Sequence, residues 1–230
     1  MSKTYLVTGA NRGLGLEFAR QLSARGDRVL ATARDPDSAT ELKPYAERID
    51  ALDVTDATSV EALGEALASE TIDVLINNGG VFPGQHKVEE MDFDALADAF
   101  AVNSIGPMRV VKALLGSVRR SGPGAIPGVG RIVNISTQMG SIARADGGAY
   151  AYRSSKAALN MLTKLLGQEL RDEGIICVAL HPGWVKTRMG GEKAPLTPEE
   201  SIAGMLRVID GLRPEQTGAF LDYKGETLPW

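Results

Sequence analysis

Short apolar runs alternate along the chain with longer segments in which apolar residues recur every three or four positions. The short runs predict seven strands, at Thr4 to Thr8, Arg28 to Ala33, Arg48 to Asp53, Val74 to Asn77, Arg131 to Ser136, Ile175 to Leu180 and Ala219 to Asp222. The longer segments predict helices near 14–25, 57–69, 91–120, 152–173 and 198–211. This alternation is typical of parallel strands joined by right-handed helical crossovers. We therefore expect a doubly wound α/β sheet of about seven parallel strands with helices on both faces.

Nothing in the sequence divides this alternation into two domains. The Pro/Gly-rich stretch at 121–130 lies between a predicted helix and the strand that completes the same pattern, so it predicts a surface loop. Residues 1–230 are accordingly expected to form a single domain. With 43% hydrophobic residues, a chain of this length has enough apolar side chains for a sizeable core.

Composition narrows the partners and the compartment. A net charge of -4 gives no basic patch for nucleic acid or an anionic membrane, and no apolar run approaches the ~20 residues that span a bilayer. Met1 to Thr4 leads straight into an apolar strand without the apolar stretch of a secretory signal, so we expect a cytoplasmic protein. Cys177, the only cysteine, is expected to pack in a buried strand, and His181 to have a structural hydrogen-bonding role.

A cluster of glycines follows the first predicted strand, in the run Thr8-Gly9-Ala10-Asn11-Arg12-Gly13-Leu14-Gly15. Glycine permits a tight turn and lets the backbone approach a bound group closely. The helix that follows offers free amides and the positive end of its dipole, which together hold a pyrophosphate. A position between a strand and a helix is the one that dinucleotide binding requires. The predicted cofactor contacts in this loop are Gly9, Asn11, Arg12, Gly13, Leu14 and Gly15.

The end of the second predicted strand indicates which dinucleotide binds. An NAD-preferring site offers a carboxylate there to the ribose hydroxyls, whereas this chain has Ala33 followed by Arg34. A guanidinium pairs well with a 2′-phosphate, and Arg12 in the glycine loop adds a second cation. Two cations without an acid favour NADP(H).

Asp53 ends the third predicted strand, and Asp53 and the following Val54 are further candidates for cofactor contact. The carboxylate of Asp53 is a candidate acceptor for the adenine amino group. It is equally suited to a turn or to capping the next helix, a role for which Thr55 and Asp56 are also available.

Tyr152 and Lys156 lie four residues apart at the start of a long predicted helix, which places both side chains on one face. A free phenol has a pKa near 10, too high for efficient proton transfer at neutral pH. A nearby ammonium favours the phenolate and lowers that pKa. The pair therefore predicts Tyr152 as a proton donor tuned by Lys156. The same spacing also occurs by chance on helices, so a structural role is the alternative.

Hydroxyl groups cluster in the segment from Asn134 to Ser141, where the fifth predicted strand ends. The carboxyl ends of parallel strands deliver residues to a ligand. A hydroxyl in that position can bind a carbonyl oxygen and stabilise a developing alkoxide. Ser136, Thr137 and Ser141 are all candidates.

Together, the glycine pattern G-x-x-x-G-x-G, the hydroxyl cluster and Tyr-x-x-x-Lys resemble the short-chain dehydrogenase/reductase family, along essentially the whole chain. Segments 149–153 and 181–187 and the ending Pro229-Trp230 are most similar to the C-factor and sniffer-like carbonyl reductases of that family. The resemblance implies a Rossmann-type fold, a bound NADP(H) and reduction of a carbonyl group.

The resemblance also implies roles for further positions. Asn78, Gly79 and Gly80 match an Asn-Asn-Ala-Gly element that closes the fourth strand against the cofactor. Asn103 matches a helix asparagine that holds a water linking the active-site lysine to solvent. The Pro-Gly-x-x-x-Thr segment, which lies against the nicotinamide and contacts its carboxamide through the threonine, matches Pro182, Gly183, Val185 and Thr187.

Three positions depart from the family pattern. Thr137 stands where the family has its catalytic serine, and its methyl group restricts the rotamers of the hydroxyl. Ser136 and Ser141 therefore stay open as the oxygen-binding group. Gly79 replaces an alanine, and Arg153 stands beside the tyrosine where most members carry a small residue.

These observations predict an NADPH-dependent reductase that converts an aldehyde or ketone into an alcohol. Its predicted catalytic residues are Tyr152, Lys156, Asn103 and Thr137 or Ser136, with Lys156 also holding the nicotinamide ribose, and no metal is expected. The expected partner is a small carbonyl substrate in an apolar pocket, and neither nucleic acid nor a membrane is expected to bind. The oligomeric state is left open, with a homodimer and a homotetramer as the possibilities. The alternative is an NADP(H)-binding signalling or redox-sensing protein with incidental turnover.

Overall fold

A computed structural model of the protein describes residues 2–120 and 130–230. The predicted surface loop at 121–130 therefore lies, apart from Gly130, outside the described residues. The described strands are β1 (Thr4–Val7), β2 (Arg28–Ala33), β3 (Arg48–Ala51), β4 (Val74–Asn77), β5 (Arg131–Ile135), β6 (Ile176–His181) and β7 (Ala219–Asp222). These described strands are all parallel and form one sheet in the order β3-β2-β1-β4-β5-β6-β7.

This order reverses direction between β1 and β4, which is the defining feature of a doubly wound sheet and the place where such sheets bind ligands. The predicted Rossmann-type, single-sheet architecture is confirmed. Strand ends differ from the prediction by one or two residues, because Thr8 and Ser136 already belong to the loops that leave the sheet.

The α-helices of the described chain cover both faces of the sheet. They are α1 (Gly13–Ala24), α2 (Ala57–Ala66), α3 (Phe93–Phe100), α4 (Gly106–Arg119), α5 (Tyr150–Glu169) and α6 (Pro198–Asp210). None of these described helices has both the length and the apolar character needed to cross a bilayer.

Alternate residues of each strand pack on opposite faces, because successive side chains of a strand point in opposite directions. In β1, Tyr5 and Val7 pack in a core with α1 and α6, whereas Leu6 packs in a second core with α2, α4 and α5. Both sides of the strands are thus buried, which is why each reads as a nearly continuous apolar run. Cys177 is fully buried in the second core, as predicted.

The helix predicted near 91–120 is helical from Phe93 to Arg119, but it is not one uninterrupted α-helix. A π-helical turn at Ala101–Ile105 separates α3 from α4. The extra residue of a π turn does not interrupt the apolar periodicity strongly enough to be recognised, although such turns are common at functional sites. The turn buries Asn103 and Ser104.

The long helix α5 begins at Tyr150, two residues before its predicted start. Gly147, Gly148 and Ala149 all have positive φ, with Ala149 at 48°. Such backbone favours glycine, and an alanine there is strained. This tight reversal brings the chain from the hydroxyl-rich loop after β5 directly into the first turn of α5, where Tyr152 lies.

Candidate cofactor and active site

The predicted site residues lie at one edge of the sheet, because the carboxyl ends of parallel strands meet there. The loops that follow β1 and β4, at the reversal of strand order, are in direct contact. The side-chain amide of Asn78 donates to the carbonyl oxygens of Thr8 and Gly9 at 3.0 and 3.1 Å. In return, the Thr8 hydroxyl accepts from the backbone amides of Asn78 and Gly79 at 3.0 and 3.3 Å. The two loops therefore form one rigid unit.

The glycines of the loop after β1 meet two different demands. Gly9 and Gly13 have positive φ, at 61° and 55°. A Cβ on Gly15 would lie 2.4 Å from the carbonyl oxygen of Gly9 and 2.6 Å from the Asn78 side chain, so only glycine fits. A Cβ on Gly13 would meet no atom within 4 Å, so the loop is open where the amides of the first turn of α1 lack intrahelical partners. The remaining predicted contacts in this loop are exposed or half-buried: Asn11, Arg12 and Leu14.

This geometry fits a dinucleotide pyrophosphate. The close contact at Gly15 fixes the loop against the start of α1, and the open side at Gly13 leaves room for phosphate oxygens near the positive end of the helix dipole. The residues present therefore satisfy the steric requirement that the glycine pattern predicts.

Three arginines surround this opening. Arg12, Arg34 and Arg188 are exposed, and none of them forms a salt bridge or a side-chain hydrogen bond within the described part of the chain. Partial burial, followed by the charges of Arg188 and Arg34, lowers the pKa of Arg12. Arg34 and Arg188 thus each repel Arg12, and a bound polyanion would relieve that repulsion.

Asp53 has a local role in the loop after β3. Its carboxylate accepts hydrogen bonds from the amide and the hydroxyl of Thr55, at 2.9 and 2.7 Å, and these bonds lower its pKa. Asp56, rather than Asp53 or Thr55, caps α2. Val54 packs against the start of α4, since a Cβ on Gly106 would lie 2.7 Å from its side chain. An adenine contact from Asp53 stays a prediction.

Tyr152 and Lys156 lie on one face of the first two turns of α5, where Lys156 is buried and Tyr152 half-buried. Burial raises the pKa of Tyr152 to about 12, and a hydrogen-bonding interaction with the Thr137 side chain opposes that rise. Burial lowers the pKa of Lys156 to about 8, and its ammonium donates to the carbonyl oxygen of Ile135 at 2.8 Å. In this structure desolvation outweighs the lowering of the phenol pKa by Thr137, and the tuning of Tyr152 by Lys156 stays a prediction.

The three hydroxyls after β5 have different surroundings. Thr137 interacts with Tyr152, and its oxygen also accepts from the amide of Met139 at 3.2 Å. Ser136 donates to the side chain of Asn160 at 2.6 Å, in the protein interior. The hydroxyl of Ser141 is buried without a hydrogen-bond partner among the described residues. Of the three candidates, the structure brings Thr137 to the phenol.

Asn103 lies in the π turn and joins three parts of the site. Its amide nitrogen donates to the carbonyl oxygen of Val81 at 2.9 Å and to the hydroxyl of Ser155 at 3.0 Å, while its oxygen accepts from the amide of Val81 at 2.9 Å. A Cβ on Gly80 would lie 3.2 Å from the Asn103 oxygen and 3.6 Å from the Lys156 ammonium. Asn103, Gly80 and Lys156 therefore lie side by side.

The segment after β6 is held close to the sheet. The carbonyl oxygen of Pro182 accepts from Ser201 of α6 at 2.7 Å. Gly183 has a φ of 84°, and a Cβ there would lie 2.4 Å from the Leu196 side chain. Val185 is buried and pairs with Leu196. Thr187 accepts from the amide of Gly190 at 3.1 Å, which leaves its hydroxyl proton available.

Apolar side chains border the phenol. The ring of Phe82 meets the ring of Tyr152 edge to face, with centroids 5.0 Å apart. Trp184 and Met189, 54% and 49% exposed, present large apolar groups at the surface of the loop after β6, and Met139 is half-buried. These three residues and Phe82 are the candidates for lining the apolar pocket that the sequence predicts for the substrate.

His181 departs from its predicted role. It is buried at the end of β6, and its Nδ1 has no hydrogen-bond partner among the described residues. Burial lowers its pKa to about 4, with Asp222 opposing and Arg144 reinforcing that change. A neutral imidazole at physiological pH is therefore packed in the protein without the expected hydrogen bond.

Sequence reasoning missed three residues of this site: Arg188, Ser155 and Asn160. Arg188 follows Thr187 directly, and an additional cation in a predicted cofactor segment was a signal for it. Ser155 lies within the Tyr-x-x-x-Lys motif, directly before Lys156. Asn160 offered no signal, because a polar residue inside an apolar helix face reveals its partner only in three dimensions.

The chain is similar to proteins with known structures and curated descriptions. The short chain dehydrogenase family matches residues 3–196. C-signal of Myxococcus xanthus is 45% identical over 172 residues, which cover 74% of this chain and 100% of that protein. The NADPH-bound carbonyl reductase from chicken fatty liver is 37% identical with a TM-score of 0.90, covering 100% of this chain and 99% of that one. The carbonyl reductase Sniffer of D. melanogaster is 33% identical with a TM-score of 0.92, over 100% of both chains. These matches confirm the resemblance that the sequence motifs predict.

Proposed function

Because the chain belongs to the short-chain dehydrogenase family, we propose that it reduces an aldehyde or ketone to an alcohol with NADPH, using Tyr152 as the proton donor. The observation that carries this proposal is that the buried Thr137 hydroxyl lies where it lowers the pKa of the half-buried Tyr152 phenol, on the helix face that also bears Lys156. A carbonyl oxygen placed between these two hydroxyls would receive a hydrogen bond from each. That arrangement stabilises the negative charge that develops on the oxygen.

The choice of NADPH rests on charge. Ala33 ends β2 near the position where an NAD-preferring site has its acid, but it is buried and apolar, and Arg34 follows it. The charges of Arg34 and Arg188 act on Arg12. Guanidiniums suit a 2′-phosphate, which NADPH carries and NADH lacks. The chicken carbonyl reductase, similar in fold, is described as NADPH-bound.

When bound, NADPH supplies the hydride. The residues of the chain orient the carbonyl group and supply the proton. Tyr152 gives its phenolic proton to the carbonyl oxygen. Thr137 is prepared to donate as well, because its oxygen already accepts from the amide of Met139 and its proton is thereby directed elsewhere. Thr137, rather than Ser136 or Ser141, is the oxygen-binding hydroxyl in this proposal.

Lys156 and Asn103 support the transfer. With its pKa lowered to about 8, the Lys156 ammonium is mostly protonated at neutral pH yet readily loses its proton, which suits a group that recharges the phenol. The Asn103 side chain uses both its oxygen and its nitrogen in holding Val81 and Ser155. Both protons of the side-chain nitrogen are thereby used, so a water in the relay would not be bound by that nitrogen.

The test is steady consumption of NADPH, followed by its absorbance, with a panel of aromatic and aliphatic aldehydes and ketones, repeated with NADH. We expect turnover with at least one carbonyl class and a clear preference for NADPH. Tight NADPH binding without turnover on any carbonyl would contradict the proposal and favour the alternative of a signalling or redox-sensing protein.

A further inference from the structure

We propose that Asn160 is a positioning residue that holds the loop from Ser136 to Gly140 against α5 and thereby sets the Thr137 hydroxyl relative to Tyr152. This inference rests on the proposed function, since it assigns the geometry of the same two hydroxyls. Asn160 is 3% exposed and lies one turn after Lys156 in α5. Its carboxamide is shielded from solvent, so its two polar atoms need hydrogen-bond partners inside the protein.

Both polar atoms of Asn160 bind the same short loop, one at each end. Its Oδ1 accepts from the hydroxyl of Ser136 at 2.6 Å, and its Nδ2 donates to the carbonyl oxygen of Gly140 at 3.2 Å. Both bonds are buried. Thr137 lies between the two points of attachment. The carboxamide therefore bridges the segment that presents the proposed catalytic hydroxyl.

The loop is pressed closely on α5 at the level of the catalytic pair. A Cβ on Gly140 would lie 2.9 Å from the carbonyl carbon of Lys156 and 3.0 Å from its Cβ. The loop and the helix are therefore too close here for any side chain larger than glycine's. The loop is also closed on itself, because the amide of Gly140 donates to the carbonyl oxygen of Thr137 at 2.9 Å. Asn160 fastens a compact turn to the helix that carries Tyr152.

The backbone position of Thr137 determines the direction of its hydroxyl more strictly than it would for a serine. A β-branched side chain has few rotamers, so the backbone decides where the hydroxyl points. Displacement of a reacting group by about 1 Å can cost about 10²-fold in rate. A loose loop would thus leave Thr137 chemically intact but wrongly placed.

A second buried bond between β5 and α5 provides a matched control. The side chain of Asn134 donates to the hydroxyl of Thr163 at 2.9 Å, and this bond is as buried as those of Asn160. Thr163 lies three residues after Asn160 on the same helix and touches no residue of the loop through this bond. Thr163→Val should therefore reduce stability without moving Thr137.

The experiment compares kcat, KM and NADPH binding for Asn160→Ala and Thr163→Val. We expect Asn160→Ala to lose about tenfold to hundredfold in kcat, with the dissociation constant of NADPH within about twofold of the wild type. Thr163→Val should keep kcat within about twofold. In a Thr137→Val background, Asn160→Ala should cost less than about twofold more, because residues that act as one unit are not additive.

Asn160→Asp gives a readout that a purely structural role would not move, and it keeps the shape of the side chain. A protonated carboxyl can donate to the Gly140 carbonyl and accept from Ser136, whereas a carboxylate cannot donate. Burial raises the pKa of such a carboxyl. We therefore expect kcat of Asn160→Asp, relative to the wild type at the same pH, to rise as the pH falls.

Wild-type kcat in Asn160→Ala, an equal loss in Thr163→Val, full additivity with Thr137→Val, or a pH-independent ratio for Asn160→Asp would each overturn the inference. Failure of the proposed function looks different. Full activity in Tyr152→Phe would remove that function whatever Asn160 does. An inactive Tyr152→Phe together with an unaffected Asn160→Ala would overturn the role of Asn160 alone.

Discussion

Around the glycine loop after β1, Arg12, Arg34 and Arg188 are exposed and lack side-chain partners in the described part of the chain. Around Tyr152, by contrast, the polar side chains of Thr137, Asn103 and Lys156 are buried. On the catalytic side, Lys156 and Asn103 each bind defined groups of the protein. The proposed cofactor side thus presents charges without partners among the described residues, which an anion would organise. The catalytic side is organised in advance.

This difference has energetic consequences. Exposed charges act through solvent and salt, so removing one of them weakens binding by degrees. Buried, oriented hydrogen-bond donors act at low dielectric. Removing or displacing one of them therefore costs much more stabilisation free energy. Substitutions on the two sides should therefore differ both in size and in the quantity they change, with kcat affected on one side and cofactor affinity on the other.

Apart from Tyr152→Phe, the largest of these effects is expected for Thr137→Val. The substitution keeps the shape of the side chain and removes the hydroxyl that interacts with Tyr152, so kcat should fall about 10²- to 10³-fold while NADPH binding is retained. Ser136→Ala, assayed beside it, should lose much less. The reverse ranking would show that Ser136 binds the oxygen and that the assignment of Thr137 is wrong.

A smaller and selective effect is expected for Arg34→Ala. A hydrogen bond to a charged group contributes about 1.5–3 kcal/mol, so NADPH should bind roughly tenfold to hundredfold more weakly while the binding of NADH is little changed.

Arg188→Ala, which removes the charge that acts most strongly on Arg12, should weaken NADPH binding by up to about fivefold. Titrations at two salt concentrations measure both. Equal weakening for NADPH and NADH in Arg34→Ala would contradict the cation assignment.

A third prediction concerns the stability cost of burying Lys156. An unfolded lysine has a pKa near 10.4, whereas in the folded protein that of Lys156 is about 8. Between these values the unfolded chain binds more protons, so stability rises with pH from about 8 to about 10, and the penalty is complete below pH 8. The difference corresponds to about 3 kcal/mol, which the hydrogen bond to Ile135 offsets by about 1 kcal/mol.

Lys156→Met should therefore be inactive yet about 2 kcal/mol more stable than the wild type at pH 7, with the gap closing toward pH 10. Urea unfolding at several pH values measures this directly. A destabilised Lys156→Met at pH 7, or a gap that widens as the pH rises, would show that burial of the ammonium does not control its titration.

The sequence predicted different parts of this molecule with different success. The strands were predictable to within one or two residues because strands buried on both faces are continuous apolar runs. The glycine loop and Arg34 were equally predictable, because the pattern that identifies them lies in adjacent residues of the sequence. The π turn at Asn103 was not, because one inserted residue hardly alters helical periodicity.

Properties that depend on burial or on distant partners were also out of reach. The spacing of Tyr152 and Lys156 suggests a lowered phenol pKa, but the burial that raises it is a tertiary property. The two bonds of Asn160 cross from α5 to the loop after β5, and neither end carries a local signature. Preorganisation on the catalytic side is thus the part of the site that sequence patterns describe least.

The central claim is that Tyr152 donates the proton in carbonyl reduction. The most direct test is a single-turnover measurement of NADPH oxidation by the wild type, Tyr152→Phe and the control Tyr150→Phe, which removes an exposed phenol two residues earlier in α5. Tyr152→Phe should bind NADPH with an affinity within about twofold of the wild type and react at least about 10²- to 10⁴-fold more slowly, while Tyr150→Phe reacts normally. A wild-type rate in Tyr152→Phe would contradict the account.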